Sequence, residues 1–136
     1  MDRSEEIWES SILPSLSDLI GIKALSPLFE PNWAEMGELD ATIELFCEWL
    51  DDQGIAGMSY EKHRIGELSP VLIVTIEGTG PGEVIFYSHL DKQPSKPELW
   101  SEGLHPLKAV RRDPWLYGRG SVDDGYGGYL CATSVR

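Results

Sequence analysis

Apolar residues near the N-terminus recur at roughly helical spacing. Ile7, Ile12, Leu16, Leu19 and Ile20 predict a first amphipathic helix opening near Ser4, a residue type that caps helix N-termini. Pro14 falls inside this stretch, and its missing N–H predicts a kink or break. After a loop containing Pro27 and Pro31, residues Leu39, Ile43, Phe46, Cys47 and Leu50 fall at i, i+4, i+7, i+8 and i+11, the stripe of a second helix, with Gly54 where it should stop. The period then changes. Gly57 to Arg64 and Val71 to Glu77 read as strands, the second rich in β-branched residues, and residues 78–82 read as the turn that follows. Val84-Ile85-Phe86-Tyr87 is a continuous apolar run, the composition of a strand buried on both faces. It would deliver Ser88-His89-Leu90-Asp91 at its C-terminal end, where open α/β sheets carry their chemistry. Prolines and charges from Lys92 to Pro114 predict an irregular surface loop, and Tyr129 to Val135 reads as the opening turns of a last helix. The pattern is that of an α/β fold, without internal repeat, low-complexity tract or interdomain linker.

Charge narrows the partners. Eleven basic against 23 acidic side chains give a formal charge of −12, which disfavours nucleic acid and anionic membrane surfaces and suits cation binding. The start Met1-Asp2-Arg3-Ser4-Glu5-Glu6 has neither the basic nor the apolar region of a signal peptide, so a soluble cytoplasmic protein is expected. Cys47 and Cys131 form no CxxC pair, which suits a reducing compartment with each thiol a small buried apolar residue.

Two short motifs carry candidate chemistry. His89 and Asp91 are two residues apart, so on a continuing strand they share a face. An imidazole at a strand end is a good zinc ligand, and a nearby carboxylate can accept its other ring N–H and fix the tautomer. Taken alone, this pair reads more readily as a turn histidine beside a carboxylate. Asp123-Asp124 sits among five glycines in residues 118–128, a backbone able to approach a ligand closely. Adjacent carboxylates repel unless a cation joins them, although an acidic surface turn is the plainer reading. A phosphate cradle is disfavoured, because two carboxylates at the helix entrance oppose an anion and no Lys-Ser/Thr follows.

Together the two segments resemble a known family. Tyr87-Ser88-His89-Leu90-Asp91-Lys92-Gln93-Pro94, then Trp100, then Leu116-Tyr117-Gly118-Arg119-Gly120-Ser121-Val122-Asp123-Asp124-Gly125 are similar to the N-terminal part of the M20 zinc peptidases and amidohydrolases. That family includes carnosinase-like dipeptidases, carboxypeptidase G and succinyl-diaminopimelate desuccinylase, and the spacing fits the carnosinase-like branch. The resemblance implies part of an α/β/α catalytic domain with a mixed sheet across residues 1–136. It implies a dinuclear site in the intact enzyme, filled by zinc with manganese or cobalt as alternatives. His89 would ligate one metal, Asp91 would orient His89 as a catalytic residue, and Asp123 would bridge both ions, joined to Asp124 by a cis peptide. One departure is visible: many members have Lys-Gly after the paired aspartates, whereas this chain has Gly125-Tyr126.

The implied reaction is hydrolysis of an amide bond in a dipeptide or N-acyl amino acid, by a water held between two metals and a glutamate base. That base comes from a Glu-Glu pair, which does not follow Asp124 here; Glu5-Glu6 reads as a solvated helix start. His63 and His105 have no family counterpart, and Trp100 and Trp115 could line a pocket or merely pack a loop. The chain is therefore expected to be an N-terminal segment that is inactive alone. The lid, the late ligands and the surface for a possible homodimer would be elsewhere, and apolar surface would stay uncovered. The alternative is a non-catalytic remnant or binding module of the same fold.

Overall fold

The computed structural model describes residues 3–135, so Met1 and Asp2 of the N-terminal stretch, and Arg136, lie outside the described residues. The first predicted helix forms as one continuous helical run in three parts: α1 (Arg3–Ile7), a π-helical turn (Trp8–Ile12) and α2 (Leu13–Gly21). The wide turn answers Pro14. Leu13 donates its N–H to the Trp8 carbonyl five residues back, and Pro14, which has no N–H to give, opens α2 without breaking the run. Ser4 lies inside α1 rather than capping it.

A short α3 (Trp33–Met36) leads into α4 (Glu38–Asp52), and the five residues of its predicted stripe are all buried. Gly54 follows it with φ +59, a left-handed conformation that suits glycine at a helix end. β1 (Met58–His63) and β2 (Val71–Ile76) pair antiparallel, Met58 opposite Ile76 and His63 opposite Val71. One face of this hairpin, bearing Met58, Tyr60, Leu72 and Val74, packs on the helical core; Val71 and Ile73 on the other face are exposed. The core itself joins Ile12, Leu16, Leu19 and Ile20 to Phe46, Trp49 and Leu50, and to Tyr129 and Ala132 of α5 (Gly125–Ser134). A smaller cluster of Ala24, Trp33 and Leu39 lies beside it.

The α/β class holds, but two antiparallel hairpins stand where a mixed sheet was expected. The loop predicted from Lys92 to Pro114 contains a 3-10 turn (Pro97–Leu99), and its end forms β3 (Val110–Arg112), which pairs with β4 (Trp115–Tyr117). The last helix begins four residues earlier than expected, immediately after Asp124. The larger correction concerns residues 84–87, which join no ladder and are 79%, 89%, 54% and 85% exposed. A continuous apolar run is buried only when strands flank it and layers cover both faces, and no described strand lies beside this one. Cys47 and Cys131 are free thiols, Cys47 buried and Cys131 only partly so. No helix among the described residues is long and apolar enough to cross a membrane.

Candidate functional site

The His89 segment is placed by its backbone on one side and by Lys92 on the other. Lys92 N–H donates to the Ala24 carbonyl, and Ser26 N–H donates to the Lys92 carbonyl, both at 2.9 Å. These bonds surround an isolated parallel bridge between Leu25 and Lys92. The Lys92 side chain is 2% exposed and runs under the site, where its ammonium donates to the carbonyls of Leu19 (2.6 Å), Ile20 (3.2 Å) and Ile22. α2 has no basic residue in its own last turn, so Lys92 supplies the cation that its C-terminal carbonyls favour. Burial lowers the Lys92 ammonium to about 8, against a smaller opposing pull from Glu38, and leaves it charged at neutral pH.

The second motif arrives over the stem of the same lysine. Gly120 has φ +83, and a Cβ there would lie 2.9 Å from Lys92 Cε, so the residue must be small as well as left-handed. The chain then turns back, with Gly125 N–H donating to the Gly120 carbonyl at 3.0 Å. A Cβ on Gly125 would stand 2.2 Å from that carbonyl oxygen and 3.1 Å from Leu19 Cδ2. The glycine-rich composition therefore reflects close packing of this loop on itself, on Lys92 and on α2. Gly125→Ala is expected to push α5 off α2 at a cost of about 1–3 kcal/mol, read as a lower urea midpoint with unchanged slope. An unchanged midpoint would show that the loop has slack.

These supports bring the two motifs together. His89 Nδ1 lies 3.0 Å from Asp91 Oδ1, and His89 Nε2 lies 3.2 Å from Asp123 Oδ1. The Asp123-Asp124 peptide is cis. Asp124 stands at the N-cap of α5, but its carboxylate does not cap the helix; Oδ2 accepts the His89 backbone N–H at 3.3 Å. Both aspartates of the pair thus face His89, one at the ring and one at the main chain. The His89 and Asp91 side chains are about one-third exposed, whereas Asp123 is 64% exposed and forms the open side.

The ring geometry limits the chemistry. With Nδ1–H given to Asp91, the Nε2 lone pair of His89 faces the Asp123 carboxylate at 3.2 Å, an arrangement that a cation between them would suit. Two ligand atoms each about 2.0–2.2 Å from one zinc at a near-tetrahedral angle stand roughly 3.3–3.6 Å apart. The Nε2 to Oδ1 separation of 3.2 Å lies just short of that range. His89 and Asp123 therefore suit two positions of one metal, half of the about four that zinc takes. No group of three or more His, Cys, Asp or Glu side chains among the described residues is arranged to hold an ion.

His63 and His105, set aside from the sequence, have local roles. His63 Nε2 is 3.0 Å from Glu61, and His105 Nδ1 accepts the Leu107 N–H. The sequence reading did not find the role of Lys92, nor that of Tyr129 in seating α5, and no spacing rule would have found either. A cleft of about 600 Å³ between the first helical run and α4 contains no residue of either motif.

No family model matches the chain. It is 30% identical over 115 residues to the succinyl-diaminopimelate desuccinylase of Rickettsia felis, an alignment covering 79% of this chain and 26% of that relative. The chain therefore spans about a quarter of the length of the curated relative it matches. The similarity points at most to an amidohydrolase-like chain.

Proposed function

We propose that this chain is the N-terminal, metal-binding part of an M20-type dinuclear zinc hydrolase acting on amide bonds of dipeptides or N-acyl amino acids. One observation carries the reading: His89 lies between Asp91 at Nδ1 and Asp123 at Nε2, with a donor separation close to that of two ligands on one zinc ion. The desuccinylase similarity supports the same reaction class. When bound, zinc supplies a Lewis acid and a water activated for attack on a carbonyl.

The chain's own residues do the rest of the first half. Asp91 accepts the Nδ1 proton and so keeps the Nε2 lone pair available. Asp124 anchors the His89 main chain, and Asp123 offers its carboxylate from the open side. The remaining ligands and the general base belong, on this reading, to further polypeptide of the intact enzyme. The chain alone should bind zinc weakly and hydrolyse no dipeptide or N-acyl amino acid at a measurable rate.

Zinc titration of the purified chain by calorimetry tests this. His89→Ala and Asp123→Asn are expected to abolish the measurable zinc uptake. Asp91→Asn should weaken it about 10–100-fold, the usual effect of losing an orienting partner. Equal zinc affinity in wild type and His89→Ala would sink the proposal, and so would robust zinc-dependent turnover by the 136-residue chain.

A further inference from the structure

The loop that leaves Asp91 and the loop that enters Asp123 enclose a second cleft. It measures about 390 Å³ and is lined by Pro94, Ser95, Lys96, Leu99, Trp100 and Arg119. Two of these six residues are cations and none is an acid, in a chain whose formal charge is −12. Five of the bases elsewhere are engaged: Lys62 with Glu44, Arg64 with Asp40, Arg111 with Glu9, Arg112 with the Glu102 carbonyl, and Lys92 with α2, while Lys23 and Lys108 lie outside the cleft. Arg119 differs. Its main-chain N–H donates to the Pro106 carbonyl at 2.7 Å, which fixes the loop, yet its side-chain Nε is buried without a hydrogen-bond partner.

We infer that this cleft is a carboxylate-binding subsite, with the Arg119 guanidinium as the primary contact and Lys96 as a second charge. A buried guanidinium N–H left unpaired is unfavourable, and its planar fork matches both oxygens of a carboxylate. Lys96 is exposed at the mouth and adds attraction without fixing geometry. Trp100, half-buried in the wall, offers a flat apolar face to a short methylene chain. The chemical class that satisfies all three is an aliphatic carboxylate, either a free dicarboxylate or the carboxylate end of a larger acyl compound.

The position gives the subsite its meaning. Pro94 is three residues beyond Asp91, and Arg119 is four residues before Asp123. The stem of Lys92 against Gly120 locks the two loops together between these points. A ligand anchored at Arg119 is thus tied by chain continuity on both sides to the His89–Asp123 pair. On the proposed hydrolase reading, the subsite would select amides whose acyl part ends in a carboxylate. Binding itself needs no metal.

Two-dimensional NMR of the full chain, titrated with succinate, its neutral analogue succinamide and inorganic phosphate, tests the assignment. Succinate is expected to shift the Arg119 Nε–Hε and Trp100 indole signals, saturating with a Kd on the order of 1 mM. Succinamide should not, and phosphate should bind at least about tenfold more weakly, for lack of the planar match. Arg119→Gln should weaken succinate at least about tenfold, and Arg119→Lys should restore only part of the affinity, since charge returns without the fork. Lys96→Gln, on the surface, serves as the second variant should Arg119→Gln fail to fold, with an expected loss of about twofold to fivefold that added salt reduces. The assignment is overturned by equal response to succinamide or phosphate, by shifts confined to residues outside the cleft, or by affinity indifferent to both substitutions. Succinate binding that persists in His89→Ala, while zinc uptake is lost, separates this inference from the metal reading. Either can fail while the other stands.

Discussion

Replacing Lys92 by methionine is expected to lower the stability of the chain by about 2–4 kcal/mol, although the new side chain fills the path of the lysine stem as far as Cε and removes a buried charge. The reason lies in what remains. The carbonyls of Ile20 and Ile22 lose their donor at the C-terminus of α2, and each buried acceptor left unpaired costs roughly 1–3 kcal/mol. Leu19 keeps a weaker bond from Ile22 N–H at 3.2 Å, so its loss is smaller. A urea titration at pH 7 reads the effect directly. The pH dependence has a definite sign. Burial brings the folded Lys92 to about 8 from the ordinary 10.5, so below pH 8 the lysine is charged in both states and contributes no slope. Between about 8 and 10.5 the unfolded chain holds the extra proton, and stability supplied by this group rises with pH. The gap between wild type and Lys92→Met should therefore widen from pH 8 to pH 10. A variant as stable as wild type at pH 7 would show that Lys92 is not what holds the two motif loops on α2.

Tyr129→Ala is expected to cost about 3–5 kcal/mol, as large aromatic truncations in packed cores do. Tyr129 is fully buried, edge-on to Phe46 at 5.1 Å and to Trp49 at 4.7 Å between ring centroids. Its hydroxyl lies 2.8 Å from Ser15 Oγ, which ties α5 to α2. Burial raises the phenol to about 12, so it stays neutral throughout the ordinary pH range and the hydrogen bond does not titrate away. Tyr129→Phe isolates that bond and should cost only about 1 kcal/mol. The two variants separate packing from hydrogen bonding by their urea midpoints. Since α5 starts directly after Asp124, the alanine variant should also displace the aspartate pair and weaken zinc uptake beyond the change in stability. An alanine variant no worse than phenylalanine would show that the ring is not the anchor of α5.

Element by element, the fold was most legible where one periodicity dominated. The stripe from Leu39 to Leu50 is the buried face of α4, and the β-branched run from Val71 is β2. Legibility failed where structure depends on neighbours remote in sequence. Val84 to Tyr87 has strand composition, but a strand needs edges to pair with, and no described element supplies one. The hairpin formed by β3 and β4 was hidden for the opposite reason, because charged Arg111, Arg112 and Asp113 look like loop until the ladder with Trp115 to Tyr117 is seen.

The candidate site divides along the same line. The sequence offered His89, Asp91 and the Asp123-Asp124 pair as residue types that can hold a cation, but each motif alone read as a surface turn, and only the resemblance of the two together to a known family gave His89, Asp91 and Asp123 separate roles. That Asp91 takes Nδ1 while Asp123 faces Nε2 required the fold, since the two motifs are more than 30 residues apart and only packing on α2 closes the distance. Lys92 and Arg119 were visible throughout as letters in the two motifs, without a role. Their meaning comes from burial: one ammonium under α2 with three carbonyls to satisfy, and one guanidinium Nε with none. A side chain's type declares which bonds it can make, and the tertiary structure alone decides which of them are made.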